Sequence, residues 1–125
     1  MIILGDLNDV TEAATTQILH GPGGSEIGTK GFSLPDQGDD ARLFNLAPLI
    51  PPKRRFSRVF RGNGELIDHI LVSKELLPGN PPQTPVVDSH IDGLGSLPSI
   101  SEQPSQRRGE PGSDHAPITA TFDFS

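Results

Sequence analysis

The sequence predicts an α/β chain of the α+β kind, mainly antiparallel sheet with short helices and long loops. Three observations carry this. Short apolar runs are repeatedly cut off by Gly, Pro and Asn, one pair of runs has the composition of a hairpin, and 14 Gly and 13 Pro stand against an apolar fraction of 33%. At 125 residues the chain has room for one modest core and one domain.

Taken in order, Ile2, Ile3 and Leu4 form an unbroken apolar run ended by Gly5, which suits a strand covered on both faces. Asp9 and Glu12 have the spacing of a capping box, so a short helix is expected from Thr11 to Leu19. From His20 to Asp40 the chain is rich in Gly, Asp and Ser. Within it "GGSEIGTK" nearly spells a phosphate-binding loop, but Thr29 precedes Lys30 and a helix, not a strand, comes before it. The segment reads as a loop. "ARLFNLAPLIPP" predicts a short helix or turn near Ala41 to Leu46, stopped by Pro51 and Pro52.

In "FSRVFRGNGELIDHILVS", Asn63-Gly64 separates two strand-like runs and predicts a tight hairpin turn. Alternation on the second run sets Leu66, Asp68, Ile70 and Val72 on one face and Ile67, His69 and Leu71 on the other. Both faces look buried, so Asp68 is a carboxylate among apolar neighbours that needs a partner. An Arg or a backbone amide would serve. Residues 78–112 are a Pro/Gly/Ser-rich stretch with one short strand predicted from Pro85 to Ile91. The last segment alternates Ile118, Ala120, Phe122 and Phe124 against Thr119, Thr121 and Asp123, a strand with one face to a core.

A formal charge of −6 argues against gripping nucleic acid mainly through its phosphates. The absence of cysteine excludes disulfides and thiolate metal sites, so any metal must sit on oxygen or imidazole. The apolar start is too short for a signal peptide or a membrane span, and by default the chain reads as cytoplasmic.

Three polar clusters lie at or within the predicted strands: Asp6 and Asn8, then Asp68, then Asp114 with His115. Each has an ordinary structural reading as an Asx turn, an ion pair or a turn before a strand. Together they supply what phosphoester hydrolysis requires. A His exchanges protons near neutral pH, a carboxylate orients it, oxygen ligands hold a divalent ion, and a carboxamide bonds a phosphoryl oxygen.

"GDLND", "ELIDHILVS" and "SDHAP", in this order, resemble the C-terminal half of the endonuclease/exonuclease/phosphatase superfamily, which includes deoxyribonuclease I, exonuclease III, inositol polyphosphate phosphatases and bacterial sphingomyelinases. The resemblance implies half of a four-layer α/β sandwich of the deoxyribonuclease I-like fold over residues 1–125. It implies metal-dependent hydrolysis of a phosphodiester, DNA among the candidates, with Mg²⁺ or Mn²⁺ favoured over Zn²⁺ by oxygen-rich ligation. Asp6 and Asn8 match the family's Asp-x-Asn, which positions water, metal and phosphate. His115 matches its catalytic His, Asp68 the carboxylate that orients it, and Asp114 a metal or phosphate residue.

By the same resemblance the chain opens in mid-domain, at an internal start, a truncation or a cloning boundary. The N-terminal half, with the family's best-attested metal-binding Glu, is then absent. Such a half should expose an apolar sheet face to that missing half or to a second copy. The alternative is a catalytically silent remnant or binding fragment that keeps the motifs.

Three further groups complete the reading. His69 sits beside Asp68 but points to the opposite face, as a packed structural residue. His20 follows a helix end, and His90, between Asp88 and Asp92, reads as solvated loop polarity rather than a second metal site. "KRRFSRVFR" places five basic residues around Phe56 and Phe60, where Arg54 and Arg55 are candidates to contact substrate phosphate, or else belong to a solvated hairpin arm.

Overall fold

Chain order in the computed structural model, which describes residues 1–20, 23–34, 36–61, 63–79, 82–89, 113 and 115–124, runs as follows. Strand β1 (Ile2–Asp6) leads to helix α1 (Ala14–His20), then β2 (Phe44–Asn45), β3 (Arg58–Phe60), β4 (Asn63–Glu65), β5 (Asp68–Val72), β6 (Val86–Ser89) and β7 (Ile118–Thr121). The architecture is mixed α+β, with few short helices and antiparallel pairing throughout the described strands.

β5 is the centre of the main sheet, whose order is β1-β5-β2. Leu71 and Val72 are fully buried there, which is what a β-branched and aliphatic run gains from a central position. The β1–β5 register runs from Ile2 opposite Val72 to Asp6 opposite Asp68. Backbone bonds from Leu7 N to Ile67 O and from Ser73 N to Met1 O extend it at both ends. β3–β4 and β6–β7 form two further two-stranded pairs. The core gathers Leu46, Ile50, Leu66, Val72, Leu77 and Val87 with Ile27, Phe32 and Phe44.

Several expectations are corrected. β1 forms, but among the described residues as an edge strand paired with β5 alone, with Ile2 47% and Leu4 69% exposed. The helix starts at Ala14, and the capping box does not form. Asp9 instead accepts bonds from its neighbour Val10 N and from Thr15 Oγ1.

Between Ala41 and Leu46 the chain is extended at Phe44–Asn45, since pairing with β5 outweighs a local helical preference. The hairpin forms two residues earlier than expected. Phe60 pairs with Asn63 and Val59 with Gly64, so Asn63-Gly64 lies in β4 and the loop starts at Arg61, whose φ is +49°. The second arm is also two strands, β4 and β5, parted at Leu66-Ile67. Phe124, set on the core-facing side by alternation, is 74% exposed, while Ile118, Ala120 and Phe122 pack on the core.

The Gly-rich loop behaves as a loop, yet it contributes Ile27 and Phe32 to the core, with Phe32 edge-on to Phe44 at 5.7 Å. Its resemblance to a phosphate cradle ends in an internal acid: Gly24 N–H donates to the Glu26 carboxylate at 2.6 Å. Residues Val86–Ser89 confirm the strand expected there; Ile91, like His90 and Asp92, lies outside the described residues. No helix among the described residues is long and apolar enough to cross a membrane.

His20 closes α1 in a buried position, its Nε2 without a hydrogen-bond partner among the described residues. Burial lowers its pKa below the usual 6.5, nearby His69 lowers it further, and Glu26 opposes them. The unfolded chain therefore binds a proton at His20 more readily than the folded one, so stability falls as pH drops below about 6.5. Thermal melting between pH 7.5 and 5.5, on the order of the His range, should show this loss in the native chain and a smaller one in His20→Gln; equal slopes would remove His20 as the cause.

Candidate active site

Asp6 ends β1 on the same face as Asp68, directly opposite it across the pair. Two bends hold it there. Gly5 has φ +146°, a conformation that L side chains rarely adopt, and Asn8 has φ +53°, which Asn tolerates better than most residues. Asn8 N–H donates to Asp6 Oδ1 at 2.7 Å, the Asx turn that the sequence suggests. Asp6 remains exposed, while Asp68 and His115 are partly buried.

His115 arrives from the segment leading into β7. Its Nδ1 donates to Asp68 Oδ2 at 2.7 Å, with side chains 21% and 23% exposed. Asp68 is thus not sealed among apolar groups, and its partner is a His rather than an Arg. Ligand atoms of Asp6, Asp68 and His115 all lie within 4.8 Å of one another. Carboxylates set opposite on paired strands repel, and a nearby cation relieves this. With Asp68 and His115 bonded to each other, the exposed Asp6 carboxylate beside them is the hard oxygen donor of the kind that suits a small divalent ion.

Ser57, which sequence reading missed, holds the pair in place. Its Oγ accepts bonds from Ile67 N at 3.1 Å and Asp68 N at 3.2 Å, and its carbonyl accepts Ala116 N at 2.7 Å. One fully buried residue thereby satisfies the break between β4 and β5 and anchors the neighbours of both Asp68 and His115. Nothing in "FSRVF" marks that Ser from any other.

His69 lies on the opposite face, as expected, and both ring nitrogens are bonded. Asn45 Oδ1 accepts Ala47 N, so its amide donates to His69 Nδ1 at 3.1 Å, and His69 Nε2 must donate to the Asp9 carbonyl at 2.8 Å. These bonds set its tautomer and tie β2, β5 and the turn after Asp6 together.

Arg54 and Arg55, the candidates for phosphate contact, both have partners within the chain. Arg54 donates to Ser89 O at 2.9 Å and pairs with Asp88 at 3.2 Å, and Ser89 Oγ bonds back to Arg54 O. Arg55 donates to the carbonyls of Pro48 and Ile50. Both guanidiniums are clamps on loop and strand backbone, because carbonyls left by short 3₁₀ turns need donors. Asp114, expected at the metal, lies outside the described residues.

The dyad opens on a cleft of about 630 Å³. Ile2, Leu4, Ile70, Ile118, Ala120 and Phe122 give it apolar walls, and Asp68 and His115 are in its polar lining with His69 and Ser113. A reacting group placed there meets one charged cluster in apolar walls, where electrostatic interactions are stronger than in water. Compared with family models, with curated proteins and with solved structures, the chain matches none of them.

Proposed function

We propose that this cluster is the reaction centre of a metal-dependent phosphoester hydrolase of nuclease or phosphodiesterase type, in the C-terminal half of an endonuclease/exonuclease/phosphatase-like domain. The observation that carries the reading is the 2.7 Å Asp68–His115 pair set beside Asp6 on the adjoining strand. Asp68 holds the imidazole with Nδ1 protonated, so proton exchange with the attacking water falls to Nε2 of His115. Water forms the new bond to phosphorus as the leaving oxygen departs, and the proton taken by His115 is returned to it. By the resemblance, Asn8 would hold a phosphoryl oxygen and Asp6 would orient the water.

Asp6, Asn8 and, by the resemblance, Asp114 would hold Mg²⁺ or Mn²⁺. Such an ion supplies positive charge against the phosphoryl oxygens. The exposed Ile2 and Leu4 face favours a covering partner, either an N-terminal half or a second copy. It also supports the second reading, a silent binding fragment.

Calorimetric titration with Mn²⁺ and hydrolysis of bis-para-nitrophenyl phosphate test the proposal together. Binding of the ion should weaken about tenfold or more in Asp6→Asn, and turnover should vanish on chelation. Ion binding indifferent to Asp6→Asn would take the metal away from this centre. Ion binding without turnover would favour the silent fragment.

A further inference from the structure

The β3–β4 hairpin has two unlike sides. Val59 and Gly64 share one of them, where Phe56 packs so closely that a Cβ on Gly64 would meet it at 3.0 Å. Arg58, Phe60, Asn63 and Glu65 share the other. Phe60 is 45% exposed, and the guanidiniums of Arg58 and Arg61 each lie 5.1 Å from its ring centroid. Arg58 is pinned in that position by bonds to Glu65 Oε2 at 3.1 and 3.0 Å. The hairpin tip thus carries a half-exposed aromatic ring with two guanidiniums in cation–π range of it.

We propose that Phe60, flanked by Arg58 and Arg61, is a stacking platform for an unpaired base of single-stranded nucleic acid, with Arg61 meeting the adjoining phosphate. This rests on the phosphodiesterase reading of the Asp68–His115 centre and names its substrate class. The hairpin is tied to that centre through Ser57, three residues before Phe60. At about 3.3 Å per residue the ring stands roughly 10 Å along the strand from Ser57, within the span of a few nucleotides.

Charge favours a single strand over a duplex. A chain of net charge −6 has little to offer a double helix gripped through phosphates, whereas stacking adds affinity that needs few cations. Arg54, Arg55 and Arg58 already have partners within the chain, so Arg61 beside the ring is the cation assigned to phosphate. A lipid surface is the poorer fit, since one ring between Asn63 and Glu65 offers little apolar area to a bilayer.

The test is anisotropy of the full chain with a labelled oligothymidine of about twelve nucleotides, in chelator to prevent cutting. A matching duplex and phosphatidylserine vesicles serve as competitors. Phe60→Ala should weaken strand binding about tenfold with its salt dependence kept, and Phe60→Trp should restore it. Arg61→Gln should reduce the salt slope by about one. Strand affinity unchanged in Phe60→Ala, or vesicles that displace the strand better than the unlabelled strand does, would overturn the platform.

Hydrolysis of bis-para-nitrophenyl phosphate by the native chain, run beside it, reads the centre alone. Turnover with Phe60-independent strand binding leaves the centre and removes the platform. Phe60-dependent binding without turnover does the reverse.

Discussion

Asp68→Asn is expected to fold like the native chain and to hydrolyse phosphodiesters at least about a hundredfold more slowly, with His115→Ala lower by a similar factor. The Asn keeps the size of the side chain and loses the acceptor charge that holds His115 with Nδ1 protonated at 2.7 Å. It can also present its NH₂ to that nitrogen and select the wrong tautomer. Stability should not suffer, since the substitution removes one of two carboxylates opposed across β1 and β5. Turnover with Mg²⁺ or Mn²⁺ and a thermal melt, measured on the same samples, separate the two effects. The double variant should be little worse than either single one, because the residues act as a unit. Native turnover in Asp68→Asn would refute the orienting role.

Ser57→Ala should cost about 2–5 kcal/mol of stability, a large share of what a small domain possesses. The substitution deletes one oxygen but orphans two amides, Ile67 N and Asp68 N, at a site closed to water. Alanine cannot accept from either, and among the described residues Ser57 Oγ is the side-chain acceptor these amides have. Where the variant still folds, turnover should fall as well, because Asp68 loses the bond that sets its backbone. Chemical denaturation is the measurement. A midpoint within error of the native chain would mean that those amides find other partners.

Much of this arrangement was legible in the residues. Alternation alone placed Asp68 and His69 on opposite faces of one strand, and the structure keeps that separation. The Asx turn at Asp6 followed from the short-range chemistry of "DLND". Errors arose where a long-range partner outweighed local preference. Asn63-Gly64 is the preferred turn pair, yet the packing of Phe56 under Gly64 draws it into β4. Phe44 and Asn45 sit in a stretch with helical leanings, and β5 recruits them as an edge. A Gly-rich segment gave no sign that Ile27 and Phe32 would reach the core.

The sequence by itself determined the chemistry on offer: oxygen and imidazole donors without thiols, an Asp, an Asn and a His at strand ends, and short apolar runs broken by Gly, Pro and Asn. Those properties belong to residue types and to spacings of two to four, which need no knowledge of the rest of the chain. Tertiary structure alone decided which donors meet. Asp6, Asp68 and His115 lie far apart in sequence, and they converge because β1 pairs with β5 in one register and Ser57 binds the chain beside both Asp68 and His115. It likewise gave Arg54 and Arg55 backbone carbonyls of this chain as partners, which no local pattern announces.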